Sequence, residues 1–183
     1  MLPVRKTGDL ETPRLLEAAL IVASVVVCGY LTVERDYVIN RMIYVDALTS
    51  LDWVFSIATV LLVLERLRSR EISYDTRFRV SEYAWREHGA MSSGSHMFLP
   101  INSEVTVRDL IQGAVIVSAN DACVVLAEGI AGSEEAFVAL MNRRAQELGL
   151  RSARFRNTTG VDDPEQRISS ADLARLTRYI IAT

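Results

Sequence analysis

The chain has 183 residues, of which 50% are hydrophobic and 23% charged, and its formal net charge is −3. This length is enough for one domain and an additional segment, and the slightly acidic balance excludes the basic surface with which proteins bind nucleic acid. The two cysteines, Cys28 and Cys123, provide no disulfide framework. His88 and His96 have no Cys, Asp or Glu at ligand spacing around them, so we expect no bound metal.

The N-terminal third contains the most apolar stretch. Leu15–Val33 is interrupted by a charge only at Glu17 and approaches the length of about 20 residues that crosses a bilayer. Three interpretations stay open: an uncleaved signal anchor, a secretory signal peptide without a clear cleavage site, or a buried helix. We therefore expect residues 1–33 to be a polar N-terminus with an apolar signal or anchor segment that contacts the membrane.

The next segment, residues 34–63, has a mixed pattern. Met42–Ala47 alternates loosely and is typical of a strand. Trp53–Leu64 is apolar over about a dozen residues, which is too short to span a membrane and fits a core helix. Further on, Ile72–Val80 is rich in β-forming residues, with a turn near Asp75, and Ser81–His88 is compatible with a short helix.

Three helix starts can be read from their capping residues. Thr106 is followed three residues later by Asp109, a capping-box pattern. Ser133 precedes two glutamates, which favour the positive end of a helix dipole. Ser169 begins the last helix, and Gly149 is a natural stop for the one before it. Between these two helices, residues 151–168 are predicted to form a loop, as are residues 89–95.

A polar junction lies between two helices with apolar faces. Ser118 and Asn120 stand where most buried helix junctions carry Leu or Ala, and burying such groups without partners costs about 1–3 kcal/mol each. These side chains therefore either cap a helix or face a cleft. The apolar positions recur at helical spacing: Val107, Leu110, Ile111, Ala114 and Val115 before the junction, and Ala122, Val125, Leu126, Gly129 and Ile130 after it.

The sequence from about residue 64 to 181 resembles the penicillin-binding D-alanyl-D-alanine carboxypeptidases of the serine β-lactamase-like superfamily. The resemblance depends on Gly89–Leu99, Val105–Gly113, Ser118–Cys123, Leu126–Glu128, Ala131–Ser133, Phe137, Met141, Asn142, Ala145, Leu148–Leu150, Phe155, Asn157 and Gly160. It implies an α/β fold of the β-lactamase/transpeptidase type, of which this chain carries mostly the helical lobe with few strands. It also implies hydrolysis of the terminal D-Ala of peptidoglycan stem peptides through an acyl-enzyme, without a cofactor.

In the family that the chain resembles, three motifs converge on the substrate. Ser-x-x-Lys supplies the nucleophile and the lysine that activates it. Ser-x-Asn relays a proton and holds the substrate and the lysine, so the resemblance makes Ser118 and Asn120 the expected catalytic residues. Lys-Thr-Gly binds the terminal carboxylate, next to the backbone N–H groups that stabilise the oxyanion.

The other two motifs are missing from their places. The register of the family puts Ser-x-x-Lys at Trp53–Ser56, which has neither the serine at its start nor the lysine at its end. The nearest tetrad that begins with serine, Ser50–Trp53, also lacks the lysine. Of 20 basic residues only Lys6 is a lysine. Lys6-Thr7-Gly8 precedes the apolar segment, whereas the family has this tripeptide after Ser-x-Asn, so we interpret it as coincidence. The nucleophile and the substrate-binding residues are thus unidentified from the sequence.

These observations lead to three expectations of function. The first is a serine D-Ala-D-Ala carboxypeptidase in the cell envelope, membrane-anchored or secreted, which would bind stem peptides and β-lactams but is inactive as this chain. Residues 34–63 would then be a divergent or disrupted start of the catalytic domain, and residues 64–183 a carboxypeptidase-like domain without its C-terminal strands. The alternatives are a non-catalytic, membrane-anchored envelope binding protein and a gene fragment.

Overall fold

The computed structural model describes residues 56–89, 91–92 and 94–182, without the side chain at position 181. The apolar segment Leu15–Val33 and the predicted strand Met42–Ala47 lie outside these residues. In the described part of the chain, no helix has the length and apolar character needed to cross a membrane.

The described residues form six helices and one small sheet. In chain order they are a helix described over 56–68 (α1), strand β1 (Arg77–Arg79), helix α2 (Glu82–Glu87), strand β2 (Glu104–Thr106) and helices α3 (Val107–Ile116), α4 (Asn120–Ala131), α5 (Glu134–Glu147) and α6 (Ser170–Ala182). The two strands pair antiparallel, with Phe78 opposite Val105. The predicted boundary between residues 63 and 64 lies within helix α1. The division of the chain into segments 1–33, 34–63 and 64–183 stays a prediction.

The helix boundaries follow the capping residues. The side chains of Ser81, Thr106 and Ser133 each accept a hydrogen bond from a backbone N–H in the first turn of α2, α3 and α5, which satisfies one of the free donors there. Gly149 follows the last turn of α5 with a φ of 72°, a left-handed conformation that favours glycine. The predicted helix starts at Thr106 and Ser133 and the predicted stop at Gly149 are therefore confirmed.

Helix α4 lies at the centre of the described core. Every residue from Asn120 to Ala127 is buried. From Ala122 to Ala127 only Ala, Cys, Val and Leu occur, which leaves this part of the helix without a polar face. It packs against α3 and α5 and also contacts α2 and β1. Phe137 and Met141 of α5 are almost fully buried, and burying each of these side chains contributes about 1.5–3 kcal/mol.

A polar cluster connects three helices at one end of the core. Glu65 Oε1 in α1 accepts hydrogen bonds from Arg144 Nε at 3.1 Å and Nη2 at 2.8 Å, and from the Tyr179 hydroxyl at 2.8 Å. Arg144 lies on α5 and Tyr179 on α6. Because both charges are partly buried, this cluster fixes the relative positions of α1, α5 and α6 more strongly than an exposed ion pair would.

Candidate functional site

Ser118 occupies a tight turn between α3 and α4. Its φ is 51°, in the left-handed region that a serine rarely adopts, and the residue is 7% exposed. The N-cap of α4 is Ala119, which makes no side-chain capping bond. Ser118 is therefore not the helix cap, which was one of the two interpretations left open by the sequence. Its hydroxyl instead lies 3.1 Å from the hydroxyl of Ser56.

Asn120 is the first residue of α4 and is 8% exposed. Its backbone N–H donates to the carbonyl of Ser95 at 2.8 Å. Its side-chain amide lies against Gly94, where a Cβ would come within 2.3 Å of Asn120 Nδ2. Because no side chain fits at position 94 without displacing the amide, the loop between α2 and β2 packs directly on the Ser-x-Asn segment.

Ser56 is the residue that sequence reasoning missed as a neighbour of Ser118. It lies in α1, is 2% exposed, and also donates to the carbonyl of Thr159 at 3.3 Å. The structure therefore brings Ser118 next to the last position of Trp53–Ser56, the tetrad to which the family resemblance assigns Ser-x-x-Lys. The register count at that tetrad was the available signal, because it already put Ser56 at the place of the lysine.

The chemistry available to Ser118 follows from this neighbour. A hydroxyl is neither basic nor cationic, so Ser56 can exchange a hydrogen bond with Ser118 but cannot withdraw its proton. Residues 56–182 contain no lysine, since the single lysine of the chain is Lys6. The nearby Cys123 is fully buried, and burial raises the pKa of its thiol to about 12, which keeps it protonated and excludes a thiolate nucleophile.

The two histidines, His88 and His96, contact different partners. His96 Nδ1 lies 2.7 Å from the carbonyl of Gly94, and the His88 ring is 3.9 Å from Glu134. Among the described residues, no group of three or more His, Cys, Asp or Glu could hold a metal ion. Neither histidine contacts Ser118 or Asn120 by a hydrogen bond that the structure shows, and both lie in or next to the loop that follows α2.

The arrangement of these elements is similar to that of solved penicillin-binding proteins. Penicillin binding protein 6B from Escherichia coli matches with 38% identity and a TM-score of 0.66, over 70% of this chain and 41% of that one. Penicillin binding protein 5 from Haemophilus influenzae matches with 36% identity and a TM-score of 0.66, over 70% of this chain and 37% of that one. The α/β fold of the β-lactamase/transpeptidase type, mostly its helical lobe, is thus confirmed.

The sequence comparison narrows this class to one family. Residues 49–183 match the family model described as D-alanyl-D-alanine carboxypeptidase, and the chain belongs to this family of serine hydrolases. The D-alanyl-D-alanine carboxypeptidase DacF of Bacillus subtilis is 39% identical over 125 residues, which are 68% of this chain. DacD of Salmonella typhimurium is 43% identical over 114 residues, which are 62% of this chain.

The match covers only part of these relatives. This chain spans 31% of the length of the Bacillus protein and 29% of that of the Salmonella protein. Family membership therefore rests on a partial match, which includes Ser118 and Asn120. Their catalytic roles stay a prediction, based on the resemblance and on the geometry above.

Proposed function

We propose that this chain carries the Ser-x-Asn part of a D-alanyl-D-alanine carboxypeptidase site and that it recognises its ligands without completing acyl transfer. The observation that supports this proposal is the contact of 3.1 Å between the hydroxyls of Ser118 and Ser56. Ser118 and Asn120 have defined partners in the structure, but the hydroxyl of Ser56 occupies the position at which the family resemblance puts the activating lysine.

The missing serine and lysine of Ser-x-x-Lys have a direct kinetic consequence. A serine hydroxyl without a base is a poor nucleophile, and loss of a nucleophile costs about 10⁶-fold in turnover. Neither Ser56 nor the protonated thiol of Cys123 can replace the base. In this proposal, Asn120 still offers an amide for hydrogen bonds to a peptide backbone, and Ser118 still offers a hydroxyl, so binding is retained while covalent chemistry is lost.

The proposed ligands are those of the family. They are peptidoglycan stem peptides that end in D-Ala-D-Ala, and β-lactams, which have similar geometry and chemistry at their reactive amide. This would place the protein in the cell envelope, with residues 15–33 as the segment that associates with the membrane. The proposed recognition needs no cofactor, because it uses only hydrogen bonds from side chains and backbone groups.

Fluorescent penicillin labelling tests the catalytic part of the proposal. The purified chain is incubated with the reagent next to a working D-alanyl-D-alanine carboxypeptidase, denatured and separated on a gel. We expect a fluorescent band from the control enzyme and none from this chain. A covalent adduct that disappears in the Ser118→Ala variant would show that acyl transfer proceeds and would contradict the proposal.

Recognition is tested separately by titrating the ¹⁵N-labelled chain with benzylpenicillin. We expect signals of Ser118 and Asn120 to shift in a saturable way, with smaller shifts in the Asn120→Ala variant. Exposed positions far along the chain, such as Arg143 on α5, serve as internal controls that should not move. If no signal near the Ser118 turn responds to the ligand, the recognition part of the proposal is wrong.

A further inference from the structure

Asp121 is a completely buried carboxylate directly after the Ser-x-Asn segment. Its exposed fraction is 0%, and its oxygens accept hydrogen bonds from three backbone N–H groups. Met97 N donates at 2.9 Å to Oδ1 and 3.1 Å to Oδ2, Leu99 N at 3.2 Å to Oδ2, and Ala122 N at 2.9 Å to Oδ1. A buried carboxylate is costly unless such donors satisfy it, so its position indicates a specific task.

The hydrogen-bond donors show that the Asp121 carboxylate fixes the backbone around Phe98. Met97 and Leu99 lie on either side of Phe98, a residue that has a φ of 58° and is 71% exposed. A left-handed conformation at a bulky residue is strained and persists only where the surroundings impose it. The hydrogen bonds from Met97 N and Leu99 N to Asp121 impose it here, since they fix the backbone immediately before and after Phe98.

The loop that Asp121 holds in turn contacts the Ser118 turn. Ser95 accepts from Asn120 N at 2.8 Å, and its hydroxyl donates to the carbonyl of Val117. Gly94 lies against the amide of Asn120. Because Ala119 caps α4 with no side-chain bond, this loop satisfies a donor at the start of α4 that Ser118 does not. Ser95 thus contacts the backbone on both sides of the strained Ser118, at Val117 and at Asn120.

We propose that Asp121 is the positioning residue of the Ser118–Asn120 site. By fixing loop 94–99 on the N-terminus of α4, its carboxylate holds Ser118 in the left-handed conformation and orients the amide of Asn120. The functional meaning of this role rests on the proposed function, but the mechanical coupling from Asp121 to Ser118 and Asn120 does not.

Amide hydrogen exchange and NMR signals of the full chain test this coupling without any ligand. In the wild-type chain, the amides of Met97 and Leu99 lie outside any helix or strand, yet we expect slow exchange for both. Asp121→Asn keeps the acceptor Oδ1 but turns the other position into a donor that faces Leu99 N. We expect about tenfold faster exchange at Leu99 in this variant, with Met97 less affected. Asp121→Ala should release both amides.

The decisive readout is the site itself. In both variants we expect shifted side-chain signals of Asn120 and shifted backbone signals of Ser118, larger for Ala than for Asn. Asp172→Asn is the matched control, because Asp172 is also buried and holds another loop through Ser152 N and Oγ at 2.7 and 2.6 Å. This control should loosen Ser152 and leave Ser118 and Asn120 as they are in the wild type.

Three results would overturn the proposal. They are rapid exchange of Met97 and Leu99 in the wild-type chain, unchanged Ser118 and Asn120 signals in the Asp121 variants, and equal disturbance of these signals by Asp172→Asn. The first needs no variant, so it stands even if Asp121→Ala fails to fold. None of the three depends on ligand binding, so a failure of the proposed function is read out separately in the penicillin experiments.

Discussion

The hydroxyl oxygens of Ser56 and Ser118 lie 3.1 Å apart, although the two residues are 62 positions apart in the chain. Ser56 is the last residue of the tetrad in which the family resemblance places the nucleophile and its lysine. This contact joins α1 to the turn before α4 and makes position 56 the place from which a base could reach Ser118.

The first prediction restores that base. In the double variant Trp53→Ser/Ser56→Lys, positions 53–56 become Ser-x-x-Lys, which puts an amine next to Ser118 and a serine three residues before that amine in the sequence. We expect covalent labelling by fluorescent penicillin to rise about tenfold or more above the wild-type background, because the amine supplies the missing base. Gel fluorescence after denaturation gives the measurement.

The matched control for this gain is Trp53→Ser/Ser56→Gln, which has a side chain of similar reach and no amine. We expect it to stay at background, provided that thermal melts show both variants to be folded. Equal labelling of the Lys and Gln variants would mean that position 56 does not serve acyl transfer. Labelling that persists when the new serine is changed back to Trp would show that another residue is acylated.

The second prediction concerns Glu128, which lies on α4 next to α2 and α5. Burial raises the pKa of its carboxyl, and the negative charges of Glu134 and Glu135 raise this pKa further. A hydrogen bond from Ser81 and the charge of His88 lower the pKa, but by less. Its Oε2 is buried without a hydrogen-bonding partner. A pKa that is raised on folding favours the folded state at low pH, and this contribution is lost as the pH rises through the folded-state value.

We therefore expect Glu128→Gln, which resembles the protonated carboxyl, to melt about 1–3 °C above the wild type at pH 7. The difference should vanish as the pH falls towards 4.5, the ordinary value for a glutamate. Glu135→Gln is the control with the opposite sign, because hydrogen bonds from its own backbone N–H and from Ser133 lower the pKa of Glu135. A lower melting temperature of Glu128→Gln at pH 7 would contradict the prediction.

The third prediction addresses the cluster of Glu65, Arg144 and Tyr179. A lysine at position 144 keeps the charge but cannot reproduce the two N–H bonds that Arg144 donates to Glu65. We expect Arg144→Lys to lower the free energy of unfolding by about 1 kcal/mol, measured by denaturant titration. Arg143→Lys, at the exposed neighbouring position, should change it by less than about 0.5 kcal/mol. Equal effects of both substitutions would show that the cluster is not stabilising.

The fourth prediction tests the close approach of Gly94 to Asn120. A methyl group at position 94 would lie 2.3 Å from Asn120 Nδ2, so the amide has to move. We expect Gly94→Ala to shift the side-chain signals of Asn120 in NMR spectra while the melting temperature falls by only about 2–4 °C. Ser92→Ala is the control, since it removes a hydrogen bond to the Gly89 carbonyl in the same loop without approaching Asn120. Unmoved Asn120 signals in Gly94→Ala would mean that the loop yields instead.

Local features of the fold were predictable because their causes are local. The caps at Thr106 and Ser133 depend on residues within one turn, and the apolar spacing of α3 indicated its buried face. The spacing in α4 did not indicate a single buried face, because this helix is buried on all sides from Asn120 to Ala127. Strand β2 was missed, because a pattern of three residues is too short to show an alternation. Its pairing with β1 depends instead on a partner more than twenty residues earlier in the chain.

The candidate site was also predictable from the sequence only in part. Ser118 and Asn120 were predictable from the resemblance and from their unusual place between two apolar helices. The register also showed that no lysine stands at position 56. The hydroxyl contact with Ser56 and the hold of Asp121 on loop 94–99 were not predictable, because both join segments that are far apart in sequence.

The sequence alone indicated the helices, the starts at Thr106 and Ser133, the stop at Gly149, the family and the absence of a lysine at position 56, since each of these follows from residue types and their spacing. Only the tertiary structure showed that the Ser56 hydroxyl lies next to that of Ser118 and that the Asp121 carboxylate holds the loop beside Asn120. The physical reason is that a buried polar group must find its partner wherever packing brings a donor or acceptor, and packing is a property of the whole chain.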